Sequence, residues 1–290
     1  MVLRLSNRLA CSTNCYHGFD LDTALKGISK TGFSYVELAS VKDYTEHVMP
    51  EQMTDQDLTR LKSRLSALSL TPISLSGHSN LTDQAGVESL KRRIEMAENL
   101  NMGVVNSGPG NLEAESQIPT LVSNLKHLAK YAQRKGVVVA VETHGLVMGS
   151  GEAAAAVVRK VGSPWIKVNY DTGNVIFYGG VRPEVDLKKT VKYLAHVHLK
   201  DKRGGRGVWD FPALGSGEVD FDNLLHTLSE EGYSGPVSVE VEVIGKGKTP
   251  PWLVPEDATT GGLKEDVYRN DKEAIDRALR QSYRFIRKYF

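Results

Sequence analysis

Two runs, IKVNYDTGN at residues 166–174 and LAHVHLKD at residues 194–201, decide how the rest of the chain is read. Each is a short apolar, β-branched stretch that stops at side chains able to hold a metal: Asp171 in the first, His196 and His198 in the second. A buried strand gains nothing from ionisable groups at its C-terminal end, because burying an unpaired charge is costly. A parallel barrel does gain, since its active site is assembled at that end of the strands.

Outward from these runs the pattern recurs. VVVAVETHG at residues 137–145 closes on Glu142, and GPVSVEVE at residues 235–242 carries Glu240 and Glu242. Strand-like runs alternate with segments of helical period along the whole chain, the sequence form of repeated βα units. Strands are expected at residues 5–11, 35–39, 72–76, 103–106, 137–142, 166–171, 194–199 and 237–241. Helices are expected at residues 22–31, 54–69, 84–100, 115–135, 151–161, 186–193, 220–231 and 271–289. Eight strands close a barrel, and 290 residues suit one (β/α)₈ domain of typically ~250. The expected architecture is a single TIM-barrel domain over residues 1–290, with long loops 40–53, 200–219 and 244–266 at the active-site face.

Composition narrows the function classes. With 40% hydrophobic and 24% charged residues, the chain reads as a soluble globular protein. A net charge of +1 leaves no electrostatic footprint for nucleic acid or an anionic membrane. No apolar run approaches the ~20 residues of a membrane span, and the N-terminal residues lack a signal-peptide core. Cys11 and Cys15 match neither a redox C-x-x-C nor a zinc finger, and read as two free thiols in a reducing cytoplasm. P-loop, serine-hydrolase and zincin signatures are absent from the sequence.

What remains is a metal centre. Glu142, Asp171, His198 and Glu240 come from four successive strands, and neighbouring strands lie under about 5 Å apart, so the four can converge on one ion. Three carboxylates and an imidazole are a hard donor set, favouring Mn²⁺ or Mg²⁺, with Co²⁺ or Zn²⁺ next. His196 and His198 share one face of their strand, as do Glu240 and Glu242. His198 is taken as the ligand because the polar loop follows it directly, and Glu240 is taken over Glu242, with the partners orienting them. His78, Asn106, His144, Asn174, Lys200 and Asp201 stand at strand ends or turns of the same level and are expected to touch substrate. Glu37, inside the second strand, is either a buried carboxylate satisfied by neighbours or a substrate contact. Arg203 and Arg206 are either solvated loop residues or partners for a substrate anion.

VETHG, VNYDTGN, HVHLKD, LGSGEVDF at residues 214–221 and GPVSVEVE together resemble the xylose isomerase-like TIM-barrel superfamily, from about Leu9 to Val243. That group holds sugar and sugar-phosphate isomerases and epimerases, inosose and dehydroshikimate dehydratases, and endonuclease IV-type repair enzymes. The resemblance implies one divalent ion on Glu142, Asp171, His198 and Glu240, the first glutamate of the final E-x-E being the usual ligand. It also implies a homo-oligomer. Ketose 3-epimerases of the group carry a second glutamate where Met148 stands here, and a histidine where Asn174 stands. The repair enzymes use extra histidines, one of them in a D-x-H; Trp209, Asp210 and Phe211 occupy that place. The implied activity is therefore a cytoplasmic, metal-dependent isomerase or epimerase of a sugar or related polyhydroxy carbonyl compound. It would pass through a metal-stabilised ene-diolate, with Glu142 and Glu240 exchanging the proton. A dehydratase on a keto-sugar, cyclitol or dehydroshikimate-like compound is the alternative; a silent sugar-binding barrel and an abasic-site nuclease rank below it.

Overall fold

All eight apolar runs form strands, which pair in parallel and in chain order until the eighth meets the first, closing a (β/α)₈ barrel. The computed structural model describes residues 5–242 and 271–290. The strands are β1 (Leu9–Ser12), β2 (Tyr35–Ala39), β3 (Thr71–Ser76), β4 (Val104–Ser107), β5 (Val138–Glu142), β6 (Ile166–Asp171), β7 (Leu194–Leu199) and β8 (Val237–Val239). Three are shorter than expected, β5 by its first residue only and β1 and β8 by more. Leu5 N donates to Tyr289 O at the C-terminus, while Arg8 O accepts from Val237 N, so the ladder of β1 begins only beside β8 at Leu9. Val241 N donates to the Cys15 thiol, which ends the last strand's ladder at Val239.

The intervening helices are α1 (Leu21–Thr31), α2 (Asp55–Ala67), α3 (Gln84–Asn99), α4 (Ile118–Lys135), α5 (Gly151–Val161), α6 (Asn174–Phe177), α7 (Pro183–Asp186), α8 (Phe221–Glu230) and α9 (Lys272–Ile286). Their ends follow from side chains read in the sequence. Thr54 and Asp57 form a reciprocal capping box at the start of α2, satisfying backbone donors that would otherwise be orphaned. Gly32 takes the left-handed conformation that stops α1, at φ 108°. Among the described residues, no helix is long and apolar enough to cross a membrane.

One helix departs from expectation. The stretch 186–193 is not continuous: α7 covers Pro183–Asp186, followed by 3₁₀ turns at Leu187–Lys189 and Val191–Tyr193. The Asp186 carboxylate does not start a helix of its own. It accepts from Gly151 N at 2.6 Å and Glu152 N at 3.3 Å, capping α5, and from Tyr170 Oη at 3.1 Å. Gly151 is required for that approach, because a Cβ there would collide with Thr190 Oγ1, Tyr170 and Asp186.

Inside the barrel, Glu37, Ser74, Asn106, Asn169, His196 and Ser238 are fully buried together. Small barrels usually fill this layer with branched apolar side chains. Here it is a polar floor beneath the strand ends, and its bonds bear on the site above it.

Candidate metal centre

β5, β6, β7 and β8 run side by side, with Glu142 and Asp171 as the last residues of two strands and Glu240 one residue past a third. Asp171 pairs in register with His198. The result is one cluster: ligand atoms of Glu142, Asp171, His198 and Glu240 all lie within 4.8 Å of one another, and all four residues are buried. His198 Nδ1 stands 2.8 Å from Glu142 Oε1, 3.7 Å from Asp171 Oδ2 and 3.4 Å from Glu240 Oε2.

The donor chemistry fits a divalent cation. Asp171 Oδ1 accepts from the backbone N–H groups of Gly173 and Asn174 at 2.9 and 2.8 Å. Its Oδ2 is buried and takes no hydrogen bond; the contact with Lys200 Nζ at 3.1 Å is ionic rather than directional. An oriented, unsatisfied carboxylate oxygen among two more carboxylates and an imidazole is what a hard cation needs. His198 Nε2 faces Glu37 Oε1 at 2.8 Å, which leaves Nδ1 for the cluster.

Charge is dense and mutually compensated. Burial pushes Glu142 upward, but the His78 and His198 imidazoles overcome it and hold the carboxyl at about 2. Burial likewise opposes ionisation of Glu240, and Lys200 and then His198 hold it well below the usual range. Burial depresses His198, yet Glu37 and Glu240 lift it well above an ordinary imidazole. Lys200 is raised against burial by Asp171, Glu240 and Glu242. Glu242 is pushed up to about 7, by burial first, then by Glu240 and Asp171 acting against Lys200.

Above the cluster lies a cavity of about 620 Å³, counting its open mouth. Of the expected substrate contacts, His78, His144, Asn174 and Lys200 line it. Gly108 N–H points at His78 Nδ1 at 3.2 Å, so the ring proton sits on Nε2, which faces Glu142 Oε2 at 3.5 Å. His144 Nε2 meets Tyr178 Oη at 3.0 Å, and burial lowers this histidine to about 4. Asn106 and Asp201 are placed elsewhere. Asn106 is in the polar floor, donating to Glu37 Oε2 at 2.7 Å. Asp201 accepts from Gly215, Gly217 and Val219 N–H at 2.9, 2.8 and 3.2 Å and so folds the loop that follows β7.

The cavity also takes residues that sequence reasoning passed over: Asn14, Val41, Tyr44, Tyr178 and Trp209. Tyr178 and Trp209 belong to an aromatic wall with Phe177 and Phe211, against which Tyr44 packs. Tyr44 and Trp209 sit in the loops 40–53 and 200–219, whose length was their only signal in the sequence. Asn14 follows the end of β1, and the strand-end rule that found Glu142 would have reached it. Glu37 is the buried carboxylate satisfied by neighbours: Ser74, Asn106, His196 and His198 surround it. The expected loop 244–266 lies outside the described residues.

A family model described as xylose isomerase-like TIM barrel matches residues 25–267. Over 161 residues the chain is 26% identical to L-ribulose-5-phosphate 3-epimerase UlaE of Escherichia coli O157:H7 (strain EC4115 / EHEC), covering 54% of this chain and 56% of that protein. Over 149 residues it is 31% identical to inosose dehydratase of Bacillus thuringiensis (strain Al Hakam), 44% of this chain and 48% of that protein. The chain thus spans about half the length of the curated relatives it matches. The crystal structure of IOLI protein with a binding zinc atom shares the fold at TM-score 0.72 and 21% identity, over 98% of this chain and 99% of that one. A family match running over most of the barrel, on a chain whose strands close in this order, settles kinship: this chain belongs to the xylose isomerase-like TIM-barrel family.

Proposed function

We propose that this protein is a divalent-metal-dependent isomerase or epimerase of a sugar or related polyhydroxy carbonyl compound. The observation that carries the reading is the convergence of Glu142, Asp171, His198 and Glu240, with Asp171 Oδ2 unsatisfied, at the base of an open cavity. These four would hold the ion, Mn²⁺ or Mg²⁺ by donor hardness, which when bound polarises a carbonyl and eases loss of the neighbouring proton. Glu142 and Glu240 line the cavity and are the candidates to take up and return that proton. His78 presents Nε2–H on the Glu142 side, where it can donate to a substrate oxygen. The aromatic wall of Tyr44, Tyr178 and Trp209 offers a face for the C–H side of a polyol and excludes water. Two buried free thiols favour the cytoplasm as the compartment.

One observation favours a dehydratase as second reading. Lys200 Nζ borders the cavity, 3.3 Å from Glu242 Oε1. An ammonium there can protonate a departing hydroxyl, so the same proton abstraction ends in loss of water. Metal analysis of purified protein and a solvent-deuterium screen over ketoses, ketose phosphates and keto-cyclitols test both. Isomerisation or epimerisation incorporates deuterium without loss of water, and dehydration releases water. Glu240→Gln is expected to cut turnover by at least about 10²-fold with the fold intact. Full activity in that variant refutes the assignment.

A further inference from the structure

Asn14 lies in the 3₁₀ turn Thr13–Tyr16 that follows β1, and its Nδ2 stands 2.8 Å from Glu240 Oε1. A carboxylate only accepts, so the atom facing it must be the amide NH₂. The amide oxygen therefore faces Thr45 Oγ1, 2.6 Å away, and Thr45 must donate. With its hydrogen committed, Thr45 Oγ1 accepts from His17 Nδ1 at 2.9 Å. Each bond in the series has one permitted direction, from His17 to Thr45 to Asn14 to Glu240. The outer end belongs to the 40–53 loop: Val41 N donates to Thr45 O at 3.0 Å, and Tyr44 stacks on His17 with centroids 4.0 Å apart. The inner end leaves Glu240 Oε2 turned toward His198 Nδ1, at 3.4 Å, and Lys200 Nζ, at 2.9 Å.

We propose that Asn14 is a positioning residue for the metal centre: it pins Glu240 Oε1 so that Oε2 faces the cluster, and through Thr45 it makes divalent-cation affinity depend on how the 40–53 loop is seated. The inference rests on reading Glu142, Asp171, His198 and Glu240 as that centre. Asn14 lines the cavity but is not one of the four clustered donors; its effect on the ion is exerted through Glu240. Groups that orient a ligand in this way typically set affinity by 10–100-fold.

Titration calorimetry with Mn²⁺ on the full chain tests the proposal without reference to turnover. Asn14→Ala is expected to weaken Mn²⁺ binding by about 10–100-fold. Thr45→Val is expected to weaken it in the same direction by a smaller factor, and Thr45→Ser, which keeps the hydroxyl, to restore it. The double variant Asn14→Ala with Thr45→Val is expected to bind no more weakly than Asn14→Ala alone, because both act through one amide. General loosening of the turn would instead give additive losses and no rescue by serine, and that pattern overturns the proposal. So does an Asn14→Ala protein that binds Mn²⁺ like the wild type. Should Asn14→Ala fail to fold, Thr45→Val decides alone: unchanged affinity there overturns the proposal equally. A wild-type protein that takes up no divalent ion defeats the metal reading itself, a different failure from a wild type that binds while Asn14→Ala matches it.

Discussion

His198 has two ring nitrogens with two separate tasks. Nδ1 joins the three carboxylates, while Nε2 donates to Glu37 in the polar floor, which sets ring orientation and tautomer together. Its neighbour His196 shares the same strand face, so period alone could not separate them. The structure gathers His198 with the carboxylates and places His196 one layer down, bonded to Asn169 Oδ1 at 3.0 Å and Ser74 Oγ at 3.0 Å. Burial, only partly offset by Glu37, lowers His196 to about 4. The unfolded chain protonates this residue near 6.5 and the folded protein only near 4, so between those values the unfolded state binds the extra proton. Folding stability from this group is therefore intact above pH 6.5 and lost as pH falls toward 4, by up to about 3 kcal/mol. In urea unfolding of metal-free protein, His196→Asn is expected to be less stable than wild type at about pH 7, and the gap to narrow at about pH 4.5. A gap independent of pH would show that His196 is not held neutral.

At the scale of elements, the loops that reach the cavity are held by residues that look unremarkable in sequence. Arg93 sits in a basic run with Lys91 and Arg92 on α3, which reads as a solvated helix face. It is fully buried instead. Its Nε donates to Ser40 O at 2.9 Å and Nη1 to Glu51 Oε1 at 3.0 Å, tying both ends of the 40–53 loop to α3. The Glu51 side chain is 33% exposed, so solvent screens part of that pair. Arg93→Met, which retains most of the packing, is expected to cost about 2–4 kcal/mol in urea unfolding, through the lost bonds to Ser40 O and Glu51. The amide of Val41, bonded to Thr45 O, is expected to exchange faster with solvent deuterium. Wild-type exchange at Val41 in the variant would mean the loop is held by other contacts. Asp186 and Asp201 behave alike: each looks locally like a cap or a site residue, and each binds backbone N–H groups elsewhere, Asp186 at the start of α5 and Asp201 at the far end of its own loop.

For the whole molecule, the cost of gathering several buried carboxylates in one cluster links folding to the ion. Anything that binds only the folded state adds RT ln(1 + [L]/Kd), about 2.7 kcal/mol at a hundredfold excess over Kd. Mn²⁺ at that excess is expected to raise the melting temperature of the wild type, chelation to reverse it, and Asp171→Asn to remove the response; identical melts with and without Mn²⁺ would show that no ion is bound. By itself the sequence determined how many strands there are, their order, and the level at which Glu142, Asp171, His198 and Glu240 emerge. Those are local properties, carried by periodic burial and by where an apolar run stops. Only the tertiary structure decided that Tyr44 and Trp209 turn into the cavity while Asn106 and Asp201 do not, and that Glu37 lies beneath His198. The Glu37–His198 bond spans 161 positions of chain, a distance that only closure of the barrel brings within hydrogen-bond reach and that no local period records.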